Sequence, residues 1–142
     1  RFLTICYDSI DDANAWIAQC KDDEGKWFYR AIELKETGEF IGGIGVEINE
    51  RDNSAELGYY INRNFWRQGL MSEAAEEMVR FLLSEEGLNR ISAAHCVRNP
   101  ASGGVMRKAG MSYEGMAREL RRNRLGYPDC PRYAILKSDL KR

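Results

Sequence analysis

The chain has 142 residues, 44% hydrophobic and 30% charged, which fits one domain with a buried core. Its formal net charge of -1, without a basic run or a long apolar run, argues against nucleic acid and membrane as partners. One histidine and four cysteines without a C-x-x-C pair exclude the usual zinc ligand sets, so we expect no metal and a reducing, cytoplasmic location.

The first predicted elements are a helix and a hairpin. Ser9 and Asp12 have the spacing of a capping box, and apolar residues then recur at helical spacing, which predicts a helix from Ile10 to Cys20. Two strands follow, "KWFYRAIEL" and "FIGGIGVEI", separated by the turn "KETGE". The second strand contains "GGIG", whose glycines favour close packing or a bulge over a nucleotide-binding motif.

A third strand and a long helix come next. The strand is "AELGYYI", after the turn "NERDNS". From Leu70 to Ser84 the sequence predicts an amphipathic helix, because its apolar residues share one face and most of its charged residues share the other. Those apolar residues are Met71, Ala74, Ala75, Met78, Val79 and Leu82.

The last part alternates strands and a short helix. The segment "RISAAHCV" predicts a strand that ends at the turn signal Asn99-Pro100. A helix from Ala101 to Ala109 is closed by Gly110, and "MSYEGMAREL" and "RYAILKSD" form a last strand pair around "GYPDCP". This order predicts a mixed sheet with helices on its faces.

The entrance of the long helix has an unusual composition. Its first backbone N–H groups need acceptors, and Ser72 is the candidate cap, while residues 63–69 contain two arginines and no acid. Gly69 lets the backbone approach a ligand, so the N–H groups of residues 68–72 can converge on one anion such as a phosphate or pyrophosphate. The alternative is an ordinary turn, and neither common nucleotide fingerprint is present.

Three spaced elements carry a resemblance: "ELGYYI", "WRQGLMSEA" and "NPASGGVMRKAGM". Over about Arg1 to Leu140 the chain resembles the GNAT acetyltransferase superfamily, and within it the RimJ/RimL-like branch that acetylates protein N-termini. The resemblance implies an α/β (α+β) GNAT fold, with a mixed, mostly antiparallel central sheet splayed at the middle strands and helices on both faces. It also implies a single domain over residues 1–142 that lacks the family's first strand and helix.

The same resemblance implies acetyl-CoA as co-substrate. Its pyrophosphate would lie on the backbone of Gln68, Gly69, Leu70, Met71 and Ser72. Its pantetheine arm would lie between the strand ends Tyr59 to Ile61 and Ala93 to Val97, beside Asn99 and Ser102. The chain departs from the family pattern at the first and last positions of the loop, Trp66 and Met71, and at Gly110-Met111. It departs also at Met106, which replaces a tyrosine that acts as general acid in many relatives.

Two side chains are candidates for catalysis. Glu56, where some relatives carry their general base, can accept a proton from the amine, with Glu119 as its rival. A backbone N–H near Tyr60 or Ile61 would stabilise the charge that develops on the carbonyl oxygen. Ser102 would donate to the departing thiolate. The alternatives are an ion-paired strand residue for Glu56, a surface charge for Glu119 and a helix cap for Ser102.

The function that follows is direct transfer of an acetyl group to the α-amine of a protein or peptide. Cys96 has no basic partner except adjacent His95, which points to the opposite face of the strand, so a covalent acetyl-enzyme is not expected. The alternatives are a small-molecule amine acceptor, such as a polyamine, amino acid or aminoglycoside, and a non-catalytic acyl-CoA-binding module. The sequence leaves the acceptor open and is compatible with a monomer or a homodimer.

Overall fold

The computed structural model describes residues 27–141. In chain order these residues form β1 (Trp27–Glu33), β2 (Phe40–Asn49), β3 (Ser54–Ile61), α1 (Leu70–Ser84), β4 (Arg90–Ala94), α2 (Pro100–Lys108), β5 (Ser112–Ala117) and β6 (Cys130–Leu136). Short 3-10 turns cover Arg63–Phe65 and Lys137–Lys141. The helix predicted from Ile10 to Cys20 lies outside the described residues.

The predicted elements are confirmed over this range, with several shifted ends. Strand β6 begins at Cys130, two residues before the predicted start, and ends at Leu136, three residues before the predicted end. Strand β4 ends at Ala94 instead of Val97, although the His95 N–H still donates to Pro131 of β6 and the Val97 N–H to Asp129 just ahead of it. The partner of His95 is Pro131, which has no N–H to return, so regular pairing stops there. Helix α2 starts one residue early because proline is favoured in a first helical turn. Strand β5 ends at Ala117, before the predicted end.

The strands form one sheet in the order β1-β2-β3-β4-β6-β5. Every neighbouring pair is antiparallel except β3 and β4, which run parallel. That parallel pairing covers only Ser54–Glu56 against Arg90–Ser92, after which the two strands are no longer paired. The predicted mixed, mostly antiparallel sheet with splayed middle strands is therefore confirmed, and a gap opens beside residues 57–61.

One face of the sheet carries the core. Alternate strand residues such as Val46, Leu57 and Ile91 are nearly inaccessible and pack against α1 and α2, which also contact each other. Both described helices therefore lie on the same face. Each large apolar side chain in this layer contributes about 1.5–3 kcal/mol through burial. The prediction of helices on both faces is therefore not confirmed by the described residues, and the helix predicted from Ile10 to Cys20 lies outside them.

The glycines of β2 let this strand approach β3 closely. A Cβ built on Gly42 would lie 2.2 Å from the carbonyl oxygen of Tyr60, and one on Gly43 would lie 2.7 Å from the Tyr60 ring. The contact at Gly42 is with backbone, which cannot move aside, so that position requires glycine, whereas a side chain at Gly43 would have to displace the Tyr60 ring. The prediction of close packing is confirmed, and the packing fixes the position of the β3 end beside the gap.

Candidate active site

The entrance of α1 presents backbone N–H groups that no side chain caps. The cap residue is Gly69, in the left-handed region with φ 76° and ψ 4°, and the helix has no side-chain cap bond. The prediction that Ser72 caps this helix is wrong, because Ser72 is the third residue inside it. A Cβ built on Gly69 meets nothing within 4 Å, so open space lies above the first turn. The N–H groups of Leu70, Met71 and Ser72 have no intrahelical acceptor, and the first helical bond runs from the Glu73 N–H to the Gly69 carbonyl oxygen at 3.0 Å.

The loop ahead of Gly69 is tied to the end of β3. The Trp66 Nε1–H donates to the carbonyl oxygen of Ile61 at 3.0 Å, and the Arg63 guanidinium lies 5.3 Å from the centre of the Trp66 ring. Arg67 has a φ of 64°, a left-handed conformation that costs a non-glycine residue about 1–2 kcal/mol. Strained backbone of this kind is concentrated at ligand sites.

The charges around this entrance favour an anion. Arg63 and Arg67 precede the helix, and its N-terminal dipole adds positive potential. The one acid in the first turn is Glu73, whose side chain is exposed. The geometry and the charge therefore suit a phosphate or pyrophosphate group.

The residue that caps α2 has a buried amide. Asn99 follows β4, is 4% exposed and caps α2 without a side-chain hydrogen bond. Among the described residues, no group hydrogen-bonds to its side-chain amide. Buried polar groups nearly always have partners, so this amide is a candidate to bind a polar ligand.

Ser102 forms a polar contact with Tyr59, which the sequence analysis missed. The hydroxyl of Tyr59 lies 2.6 Å from Ser102 Oγ and also donates to the Ser102 carbonyl oxygen at 3.0 Å. Burial raises the pKa of Tyr59 to about 12, with the Ser102 hydrogen bond acting in the opposite direction. Ser102 is inside α2, so the alternative role of helix cap is wrong. Met106 is buried in the core.

Glu56 lies on the opposite face of the sheet from the core. It forms an ion pair with Arg121 from the segment between β5 and β6, through its Oε1 atom. Glu47 is directly opposite on β2 and also has an interaction partner. The alternative role of ion-paired strand residue is confirmed. Glu56 Oε2 makes no hydrogen bond to the described part of the chain, so the base role stays a prediction.

Glu119 lies in the turn after β5. Its backbone has a φ of 48°, its N–H donates to Asp129 Oδ1 at 2.9 Å, and its side chain is exposed. It lines an open groove of about 840 Å³. The other lining residues are Val97, Arg98, Arg118, Tyr127, Pro128 and Asp129. This groove begins at Val97, the last residue of the strand predicted to flank acetyl-CoA. Its lining contains both basic and acidic side chains.

The described residues contain neither a metal-binding cluster nor a membrane-spanning helix. Within residues 27–141, no three side chains of the His, Cys, Asp or Glu type are grouped so that they could hold a metal ion. None of the helices described in that range is long and apolar enough to cross a membrane.

The chain matches a family model described as "Acetyltransferase (GNAT) domain" over residues 3–112. The match covers more than half of the chain, so the chain belongs to the GNAT acetyltransferase family. All residues assigned above to the helix entrance and the gap lie inside the match. Arg121 and the segment around it lie outside it.

Named relatives support the same family. The chain is 36% identical over 108 residues to YoaA, an uncharacterised N-acetyltransferase of Bacillus subtilis, covering 75% of this chain and 60% of the relative. It is 26% identical over 116 residues to the [ribosomal protein uS5]-alanine N-acetyltransferase of Escherichia coli, covering 80% and 60%. The chain thus spans about three fifths of the length of these curated relatives.

A solved structure confirms the fold. A spermidine N-acetyltransferase SpeG chimera from Vibrio cholerae and hSSAT superposes with a TM-score of 0.82 at 23% identity, covering 96% of this chain and 82% of that one. At this identity the likeness concerns the fold alone.

Proposed function

We propose that the chain transfers an acetyl group from acetyl-CoA to a primary amine, and that this amine is the α-amino group of a protein or peptide. The observation that carries the proposal is the open, glycine-capped entrance of α1 next to the gap between β3 and β4. One ligand could place an anionic group at the entrance of α1 and a polar chain in the gap. Membership of the GNAT family supports the same chemistry.

The residues around the gap fit acetyl-CoA, which supplies the acetyl thioester when bound. The N–H groups of Gln68, Gly69, Leu70, Met71 and Ser72 would bind its pyrophosphate. The unpaired amide of Asn99 would bind an amide of the pantetheine arm. Beyond Glu56 the edge of β3 has no strand pairing on the side of β4, so the N–H of Ile61, which points to that side, is available to the same ligand. The N–H of Tyr60 points instead toward Gly43 of β2.

The acceptor must lose a proton before its nitrogen can attack. An α-amino group has a pKa of about 7.7–8.0, against about 10.4 for lysine, so it loses its proton more readily at neutral pH. Glu56 would accept this proton at Oε2, directly or through water, while Oε1 stays bound to Arg121. The N–H of Ile61, which points into the gap, would stabilise the charge that develops on the acetyl oxygen.

Ser102 would donate a hydrogen bond to the departing thiolate, and Tyr59 would position it. The Tyr59 hydroxyl has two acceptors on the same residue, the carbonyl oxygen and Oγ of Ser102. When Tyr59 donates to the carbonyl oxygen, the Ser102 proton is bound by Tyr59. When Tyr59 donates to Oγ, the Ser102 proton is free for the ligand. The raised pKa of Tyr59 keeps its own proton in place at neutral pH.

Removing only the phenolic oxygen tests this arrangement. We expect Tyr59→Phe to lower kcat about 10-fold, the value of one hydrogen bond of about 1.4 kcal/mol, with KM for acetyl-CoA unchanged. Ser102→Ala in the Tyr59→Phe background should then cost little more, because the two groups act as a unit. Steady-state kinetics of the two single variants and the double variant measure this. Independent, multiplicative losses would contradict the assignment.

The charges near the site favour a peptide over a polyamine. Arg121 neutralises Glu56, and the groove beside Val97 contains Arg98 and Arg118 as well as two acids. A polyamine with several positive charges would meet these arginines, whereas a peptide N-terminus brings a single charge and backbone hydrogen bonds. The E. coli relative is named for an alanine acceptor on a ribosomal protein.

A thiol-release assay with acetyl-CoA tests the acceptor class. We expect kcat/KM for peptides with a free N-terminal alanine to exceed that for spermidine at least 10-fold, which corresponds to about 1.4 kcal/mol. N-terminally blocked copies of the same peptides serve as matched controls and should release no thiol. A preference for spermidine, amino acids or aminoglycosides would establish the small-molecule alternative. Tight acetyl-CoA binding without release on any acceptor would establish a binding module.

A further inference from the structure

The pairing of β4 with β6 brings two cysteines face to face. In the antiparallel register Ala94 lies opposite Arg132. Two backbone hydrogen bonds continue this register beyond β4, from His95 N–H to the carbonyl oxygen of Pro131 at 3.2 Å and from Val97 N–H to that of Asp129 at 3.0 Å. The position between them places Cys96 directly opposite Cys130. Both thiols are unpaired in this structure.

The geometry at this position suits a disulfide. Hydrogen-bonded and non-hydrogen-bonded pairs alternate along an antiparallel ladder, and the hydrogen bonds on either side make Cys96 and Cys130 a non-hydrogen-bonded pair. Such pairs have Cα atoms about 4.5 Å apart and side chains on the same face. Disulfides span Cα separations of about 4.4–6.8 Å, so closure needs rotation of the side chains and little movement of the backbone.

The two thiols have different environments. Cys96 is partly exposed, whereas Cys130 is 6% exposed and donates to the carbonyl oxygen of Pro128 at 3.6 Å. Burial, together with Cys96 and Asp129, raises the pKa of the Cys130 thiol, while nearby Arg121 and Arg132 act in the opposite direction. An oxidant from solvent therefore meets Cys96 first, and Cys130 is placed to react with the product.

We propose that Cys96 and Cys130 are a redox-active dithiol that closes to a disulfide when the chain meets a hydroperoxide. The Cys96 thiolate attacks one oxygen of hydrogen peroxide, which breaks the O–O bond and gives a sulfenic acid and hydroxide. The hydroxide takes up the proton that the Cys96 thiol lost and becomes water. The Cys130 thiolate then attacks the Cys96 sulfur, the S–S bond forms, and hydroxide leaves and takes up a proton as water. In total, two thiols and one hydrogen peroxide give one disulfide and two waters.

The bridge has a local consequence. In the reduced chain, two backbone hydrogen bonds and the stacking of His95 on Tyr133 hold residues 95–97 against β6 and the residue before it. In the oxidised chain, a covalent bond would fix this segment, which leads into Asn99 and borders the groove at Val97. This disulfide depends on the register of β4 against β6 and on the thiols of Cys96 and Cys130. It would form whether or not the chain acetylates an amine.

Mild oxidation of the reduced full chain with a small excess of hydrogen peroxide tests the proposal. We expect a Cys96–Cys130 linked peptide as the main product in a non-reducing digest analysed by mass spectrometry. Closing this loop should raise Tm by about 5–10 °C, and dithiothreitol should reverse the shift. Cys96→Ser, at the partly exposed position, should lack both the linked peptide and the shift.

A second variant separates this pair from the other cysteines. Replacing Cys6 and Cys20 with serine together should leave both the linked peptide and the Tm shift unchanged. Links from Cys96 or Cys130 to Cys6 or Cys20 would overturn the proposal. So would accumulation of a sulfinic acid on Cys96 without a bridge, or an equal Tm shift in Cys96→Ser.

Discussion

Gly69→Asp is expected to weaken acetyl-CoA binding by about 10- to 100-fold while the chain stays folded. The new carboxylate would accept hydrogen bonds from the N–H groups of the first turn of α1 and repel the pyrophosphate, and one charged hydrogen bond is worth about 1.5–3 kcal/mol. Aspartate tolerates the left-handed conformation and is a favoured cap, so the fold should keep its stability or gain some. Isothermal titration calorimetry and a thermal melt measure the two effects.

Gly69→Asn is the matched control, because asparagine has nearly the same shape and the same tolerance of positive φ, without the charge. It should lose less affinity than Gly69→Asp. The difference between the two variants should shrink as ionic strength rises, since salt screens the repulsion between carboxylate and pyrophosphate. Wild-type affinity in Gly69→Asp would remove the anion site from the entrance of α1. Equal losses in both variants would attribute the effect to bulk instead of charge.

The elements that sequence predicted well are those with local signals. The apolar periodicity after Gly69 gave α1 its observed bounds, Leu70–Ser84, and the turn "KETGE" placed the hairpin of β1 and β2. The predicted end of β4 was wrong, because the residue that ends the strand lies on another strand. Pairing fails at Pro131, and no property of "RISAAHCV" itself contains that information.

In the candidate site too, local sequence patterns predicted some features, and contacts between distant residues decided the others. The resemblance supplied the loop and the positions of Asn99 and Ser102, but the contacts that decide their chemistry join residues far apart in sequence. Tyr59 and Ser102 are 43 positions apart, and Glu56 and Arg121 are 65 apart. These pairs depend on how β3, α2 and the segment after β5 pack together, so spacing alone could not reveal them. A tyrosine at a core-facing position of β3 was the one available signal for the first pair.

Glu56→Gln is expected to lower kcat about 10²- to 10⁴-fold at neutral pH, the usual range for loss of a general base, with acetyl-CoA affinity unchanged. Glutamine keeps the shape of the side chain but cannot accept a proton at Oε2. Rate measurements at neutral pH with saturating acetyl-CoA, together with calorimetric titration of acetyl-CoA, test both points.

The ion pair with Arg121 complicates this substitution, because Glu56→Gln removes a base and a salt bridge together. Arg121→Gln removes the same ion pair and keeps the carboxylate, so it separates the two effects. If Glu56 is the base, Arg121→Gln should retain most of the turnover, since it also frees Oε1 to accept a proton. Glu119→Gln, in the groove beside Val97, should behave like wild type. Equal losses in Glu56→Gln and Arg121→Gln would make the ion pair structural, and the proton would then have to leave through water or through Glu119.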